Sequence, residues 1–117
     1  MTPTNVYIGA NKPLALYMND DIIGFTFTVL NNDGTDYDFS GSTDVNLKIY
    51  TTRGGRLIST ISQGATGVAI SGNVITWNSD YSADIDIKET GTYYYELTYN
   101  DSSNRPITVA FGSINVI

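Results

Sequence analysis

The sequence predicts an all-β, immunoglobulin-like sandwich of about seven to nine antiparallel strands. Three observations predict it. From Gly24 to the C-terminus, apolar and polar residues alternate in short runs, the period of a strand with one face in the core and one in water. Turn residues break these runs about every 8–12 residues, the spacing of sandwich strands. No amphipathic helix longer than one turn interrupts the pattern, which argues against an α/β chain.

The elements follow in order. Residues 1–13 show no clear period. Thr2-Pro3-Thr4-Asn5 and Gly9-Ala10-Asn11 are turn or coil signals, and Val6-Tyr7-Ile8 is a short β-prone patch between them. This segment is expected to be an arm that orders against a partner, with Val6, Tyr7 and Ile8 as its contact. Residues 14–117 form a single domain. Pro13 opens a first strand over Leu14 to Met18. Ile22 to Leu30 is the clearest early strand, with Phe25, Phe27 and Val29 on one side and Thr26 and Thr28 on the other. Asn31-Asn32-Asp33-Gly34 stops it. Thr35 to Phe39 is a short polar strand ended by Ser40-Gly41-Ser42.

Asp44 to Thr51 alternates again, turning Val45, Leu47 and Ile49 inward. Arg53-Gly54-Gly55-Arg56 is a hairpin signal, because paired glycines supply the positive φ of tight turns. Leu57 to Ser62 pairs back. Val68 to Ile70 and Asn73 to Trp77 flank a second hairpin at Ser71-Gly72. Residues 79–85 lack alternation and suit a single helical turn capped by Ser79 or Asp80. Thr92 to Tyr99 is a strong strand, with Tyr93, Tyr95, Leu97 and Tyr99 on one face. Ile107 to Ile117 closes the domain, with a kink expected at Gly112-Ser113.

Composition narrows the function classes. The 117 residues include no histidine and no cysteine, which removes the commonest general base, the thiol nucleophile and the usual zinc ligands. A domain of this length needs no disulfide or metal to fold. The net charge of −6 opposes direct nucleic-acid binding. No apolar run approaches a membrane span, and residues 1–11 do not read as a signal peptide. Synthesis in the cytoplasm without an export route of its own is the expectation.

Several groupings merit a chemical reading. Glu89-Thr90-Gly91-Thr92-Tyr93 has the spacing of the corner that enters a late sandwich strand. Gly91 provides the turn, and Tyr93 buries its ring and returns its hydroxyl to nearby backbone. This is a structural role. Asp33, Asp36, Asp38 and Asp44 surround one turn, and Asp84, Asp86 and Glu89 another. Their carboxylates are the kind of oxygen ligand calcium takes, but the spacing matches no calcium-loop signature. They read as solvated turn residues. No catalytic residue and no cofactor are assigned. Arg53 and Arg56 read as a solvated hairpin tip. Nine tyrosines and one tryptophan also admit sugar stacking, with Tyr37, Tyr50, Tyr81 and Tyr94 as candidates for exposure and Trp77 as a further platform.

The order of motifs resembles a known family. Phe25 to Val29 leads to Asp33-Gly34 and Asp38-Phe39-Ser40-Gly41. Val45 to Ile49, Gly54-Gly55, Gly72 to Thr76, Asp80 to Asp84, Gly91 to Leu97 and Gly112 to Val116 follow. Over residues 22–117 the chain is similar to the immunoglobulin-like domain of tailed-phage virion proteins, as at the N-terminus of baseplate upper proteins. The resemblance implies a non-enzymatic structural protein of the virion. Its partners would be other virion proteins (major capsid, connector or baseplate), met in many copies on a symmetric particle. The length suits a stand-alone head-decoration or connector-associated subunit. A carbohydrate-binding or host-surface adhesion module is the alternative, recognisable by coplanar aromatics exposed on one face.

Overall fold

The computed structural model describes residues 4–117. Among these residues, ten strands form two sheets that pack face to face. In the smaller sheet, β1 (Thr4–Tyr7) borders β4 (Ile22–Leu30), followed by β8 (Val74–Ser79) and β7 (Val68–Ser71). In the larger, β2 (Ala10–Asn11) and β3 (Leu14–Leu16) both border β10 (Pro106–Val116). Then come β9 (Gly91–Asn100), β5 (Thr43–Tyr50) and β6 (Leu57–Ile61). The one helix among the described residues, α1 (Tyr81–Asp84), is a single turn capped by the Asp80 carboxylate, which accepts from the Ser82 amide.

Alternation places the core. Leu47 and Ile49 of β5, Tyr95 and Leu97 of β9 and Ile114 of β10 point inward from the larger sheet, and Phe27, Val29, Ile75 and Trp77 meet them from the smaller. The Trp77 indole N–H would be costly to bury alone; it donates to the Ser79 hydroxyl at 2.7 Å. The inward phase slips twice, each time at a bulge. In β4 the register shifts between Ile22 and Phe25, so Ile22 is buried, Ile23 is 74% exposed, and Phe27 and Val29 are again inside. In β10 the shift lies between Thr108 and Ala110, so Val109 and Ala110 are both buried. The kink expected at Gly112-Ser113 is absent, since both keep continuous register with Tyr95 and Tyr94.

The N-terminal segment departs furthest from expectation. Thr2 and Pro3 lie outside the described residues, but Thr4–Tyr7 is a folded strand paired in parallel with Phe27 to Leu30. Val6 is 2% exposed and belongs to the core, and Ile8 packs against it. Val6 therefore faces its own domain and not a partner. The chain then turns at Gly9, where φ is +78°, and crosses to the other sheet. There β2 and β3 run parallel to β10. The boundary at residue 13 does not separate an arm from a body, and the sheets are mixed rather than wholly antiparallel. The expected strand at Thr35 to Phe39 reduces to one bridge, Asp36 to Leu30.

Candidate functional site

The corner predicted at Gly91 and Tyr93 forms. The Tyr93 hydroxyl donates to the Glu89 carbonyl at 2.8 Å, and its ring packs against the core. This locks the entry of β9, and with it the side chains that β9 presents to solvent.

Two surfaces then stand out. One is the flank where the N-terminal strands close the sandwich. Alternation in β1 turns Val6 inward and leaves Tyr7 51% exposed. Past β3, the Ile117 amide donates to the Leu16 carbonyl, and the Met18 amide donates to the Ile117 carbonyl. Tyr17 and Ile117 are thereby held side by side, 61% and 56% exposed. Among the described residues these are three of the five large apolar side chains that reach solvent, Tyr7 projecting from the outer face of the smaller sheet and Tyr17 and Ile117 from that of the larger.

The second surface is the outer face of the larger sheet. Tyr50 of β5 stands opposite Tyr94 of β9 in the ladder, with ring centroids 6.2 Å apart and planes tilted by 46°. Phe111 of β10 continues the row, 6.4 Å from Tyr94 at 50°. Arg53, from the β5–β6 hairpin, lays its guanidinium over the Phe111 and Tyr94 rings at 5.5 and 6.0 Å. Beside this row is a concavity of about 300 Å3. Burial raises the Tyr50 and Tyr94 hydroxyls above their ordinary value, and the nearby Glu96 carboxylate adds to both.

The remaining tyrosines and the tryptophan are structural. Trp77 is fully buried and offers no platform. Tyr81 is 2% exposed, because its hydroxyl donates to the Ile87 carbonyl and ties the α1 segment down. Tyr37 is half-buried, edge-on to Phe39, with its hydroxyl bonded to that of Tyr99. Together with the β7–β8 hairpin, this loop borders an open cleft lined by Asp36, Asp38, Ile70 and Asn73.

The acidic residues are dispersed into turns. Asp33 accepts from the Thr35 amide and hydroxyl, Asp38 from those of Ser40, and Asp101 from the Ser103 and Arg105 amides. The Thr35 hydroxyl holds the Asp33 carboxyl below its usual range, the Ser40 hydroxyl does so for Asp38, and the Arg105 amide for Asp101. Among the described residues no three acidic side chains converge as a metal site.

Sequence reasoning missed the part Arg53 plays. Two glycines beside it signal a hairpin, but only the ladder shows that the tip folds back over Phe111, 58 residues away in the chain. Comparison with family models, with curated proteins and with solved structures found no match to this chain.

Proposed function

We propose that the protein is a non-enzymatic structural subunit of a tailed-phage virion. It would be an accessory or decoration protein on the capsid, connector or baseplate, made in the host cytoplasm and carried in many copies. The motif order over residues 22–117 supports the virion assignment. The observation that carries the docking role is the N-terminal edge, where Tyr7 on one face of the sandwich and Tyr17 and Ile117 on the other are held out to solvent by strands that are themselves firmly packed. A rigid strand edge with projecting aromatics suits attachment to neighbouring proteins, and repetition on a symmetric particle multiplies weak contacts into avidity. The lack of histidine and cysteine, and the use of Asp33, Asp38 and Asp101 in turns, support a role without catalysis.

Light scattering of the purified protein, alone and mixed with particles lacking it, tests this reading. Stoichiometric rebinding is expected, and it should be lost in a Tyr7→Ser, Tyr17→Ser double variant that keeps its thermal stability. A protein that ignores the particles sinks the proposal.

A second reading, a carbohydrate-binding or host-surface adhesion module, draws on the Tyr50–Tyr94–Phe111 row. Tilts of 46° and 50° make the row a corrugated surface, unlike the flat platform expected for broad sugar stacking. Glycan-array binding that disappears with Tyr94→Ala would favour it.

A further inference from the structure

We propose that the concavity beside Tyr94 and Phe111 binds a sugar ring bearing a carboxylate, of the hexuronate class. The inference rests on the adhesion reading and specifies its ligand.

Arg53 is the centre of the argument. Among the described residues it has no carboxylate within ion-pair distance, whereas Arg105 holds Asp101 at 3.0 Å and Lys88 lies 3.9 Å from Asp86. Its guanidinium rests on two aromatic rings. A stacked guanidinium is held by its face and leaves the edge N–H fork free, which is the geometry that takes a carboxylate through two parallel hydrogen bonds. Glu96, on the same face, stands opposite Lys48 in the ladder and is within ion-pair distance of neither Lys48 nor Arg53 among the described residues; its carboxylate lies near the Tyr50 and Tyr94 hydroxyls.

The lining selects the rest of the ligand. Thr51, Thr92 and Ser113 bring hydroxyls, Asn11 brings an amide, and Tyr94 and Phe111 bring apolar ring surface. A ring with several hydroxyls and one apolar face can use all of these at once. A lone acidic side chain from a protein would use Arg53 and leave the hydroxyls without a partner. The volume of about 300 Å3 is at the lower end for small-ligand sites, enough for a terminal residue of a glycan rather than a long chain. The β9 corner and the β10 ladder fix the floor, so the site is formed before the ligand arrives.

The test is an amide-resolved NMR titration of the full chain with methyl glucuronide and, separately, with methyl glucoside. Shifts confined to residues 51–53, 92–94 and 111–113 are expected, with a Kd of about 1–10 mM for the acid. The neutral sugar should bind at least about tenfold more weakly, and Arg53→Gln should bring the acid down to the same level. Arg53 is exposed, so this variant keeps the fold, and its unshifted spectrum elsewhere verifies that. Equal binding of both sugars at these residues would preserve adhesion but overturn the carboxylate assignment. Absence of shifts with either sugar would overturn both and leave docking through the flank untouched. A capped tetraglutamate peptide binding as tightly as the glucuronide would overturn the sugar in favour of an acidic protein segment.

Discussion

Replacing Val6 by alanine tests whether the N-terminal segment belongs to the fold or waits for a partner. Val6 is 2% exposed and lies opposite Val29 in the parallel β1–β4 ladder. The substitution removes two buried methyl groups, worth about 0.8 kcal/mol each in transfer alone. Partial collapse of the cavity adds to this, giving about 2–3 kcal/mol. With an m-value of about 1–2 kcal/mol/M in urea, the unfolding midpoint should fall by about 1–3 M with its slope unchanged. The neighbouring Tyr7→Ser is the control. Its side chain is 51% exposed, so its cost should stay within about 0.5 kcal/mol. Equilibrium urea unfolding of the isolated protein, followed by Trp77 fluorescence, measures both. A loss below about 0.5 kcal/mol for Val6→Ala would refute the reasoning, because it would mean that β1 contributes nothing to the free protein.

Further outcomes follow from the same packing. Tyr95→Phe deletes the hydroxyl that donates to the Lys12 carbonyl at 2.6 Å and should cost about 1–2 kcal/mol in the same urea assay; a neutral result would mean that this bond does not tether the β2–β3 connection. Gly112→Ala should cost about 1–3 kcal/mol, since φ is +151° and a Cβ would sit 2.7 Å from the Asn11 Oδ1 and 3.1 Å from the Lys12 carbonyl; an unchanged thermal midpoint would contradict it. In acid, Asp33, Asp38 and Asp101 have lower pKa values folded than unfolded. Their contribution is therefore present above about pH 4 and is lost as pH falls through the folded values, so the thermal midpoint should drop there and not stay flat. In alkali the sign reverses. Burial, the largest cause for both, keeps the Tyr95 and Tyr99 phenols protonated well above their ordinary value of 10.0, so stability should hold up to about pH 10 and decline beyond it in urea titrations.

Much of the fold was legible because alternation is a local signal. Ile22 to Leu30 was bounded in sequence as it is in the structure, and the single helical turn lies within residues 79–85. The Tyr93 corner was legible for the same reason, since its hydrogen bond spans four residues. What escaped was non-local. Val6 has too short a patch around it to show a period, and its burial depends on the open edge of β4. The bulges at 22–25 and 108–110 exchange inward and outward phases without a distinctive residue to announce them. Trp77 and Tyr81 looked available as aromatics, but each satisfies its polar atom inside, through Ser79 and Ile87. Arg53 was legible as an exposed hairpin tip, but its stacking was not, because Tyr94 and Phe111 come from two other strands.

In the proposed role, the N-terminal flank would join stability to attachment within one short strand. In β1, one side chain sustains the core while the next faces outward, so a neighbour can grip Tyr7 without loosening Val6. The backbone of β1 pairs with β4 on one side, and among the described residues no strand covers its other side. Along its described residues that edge offers main-chain donors and acceptors next to an exposed tyrosine. A neighbouring protein that added a strand here would bury the tyrosine and satisfy that edge together. Such contacts are individually weak, and a strand already folded would lose little conformational entropy on docking, unlike an arm that had to order first. For the proposed virion role, a folded flank suits repeated, in-register docking better than an arm that orders only on binding.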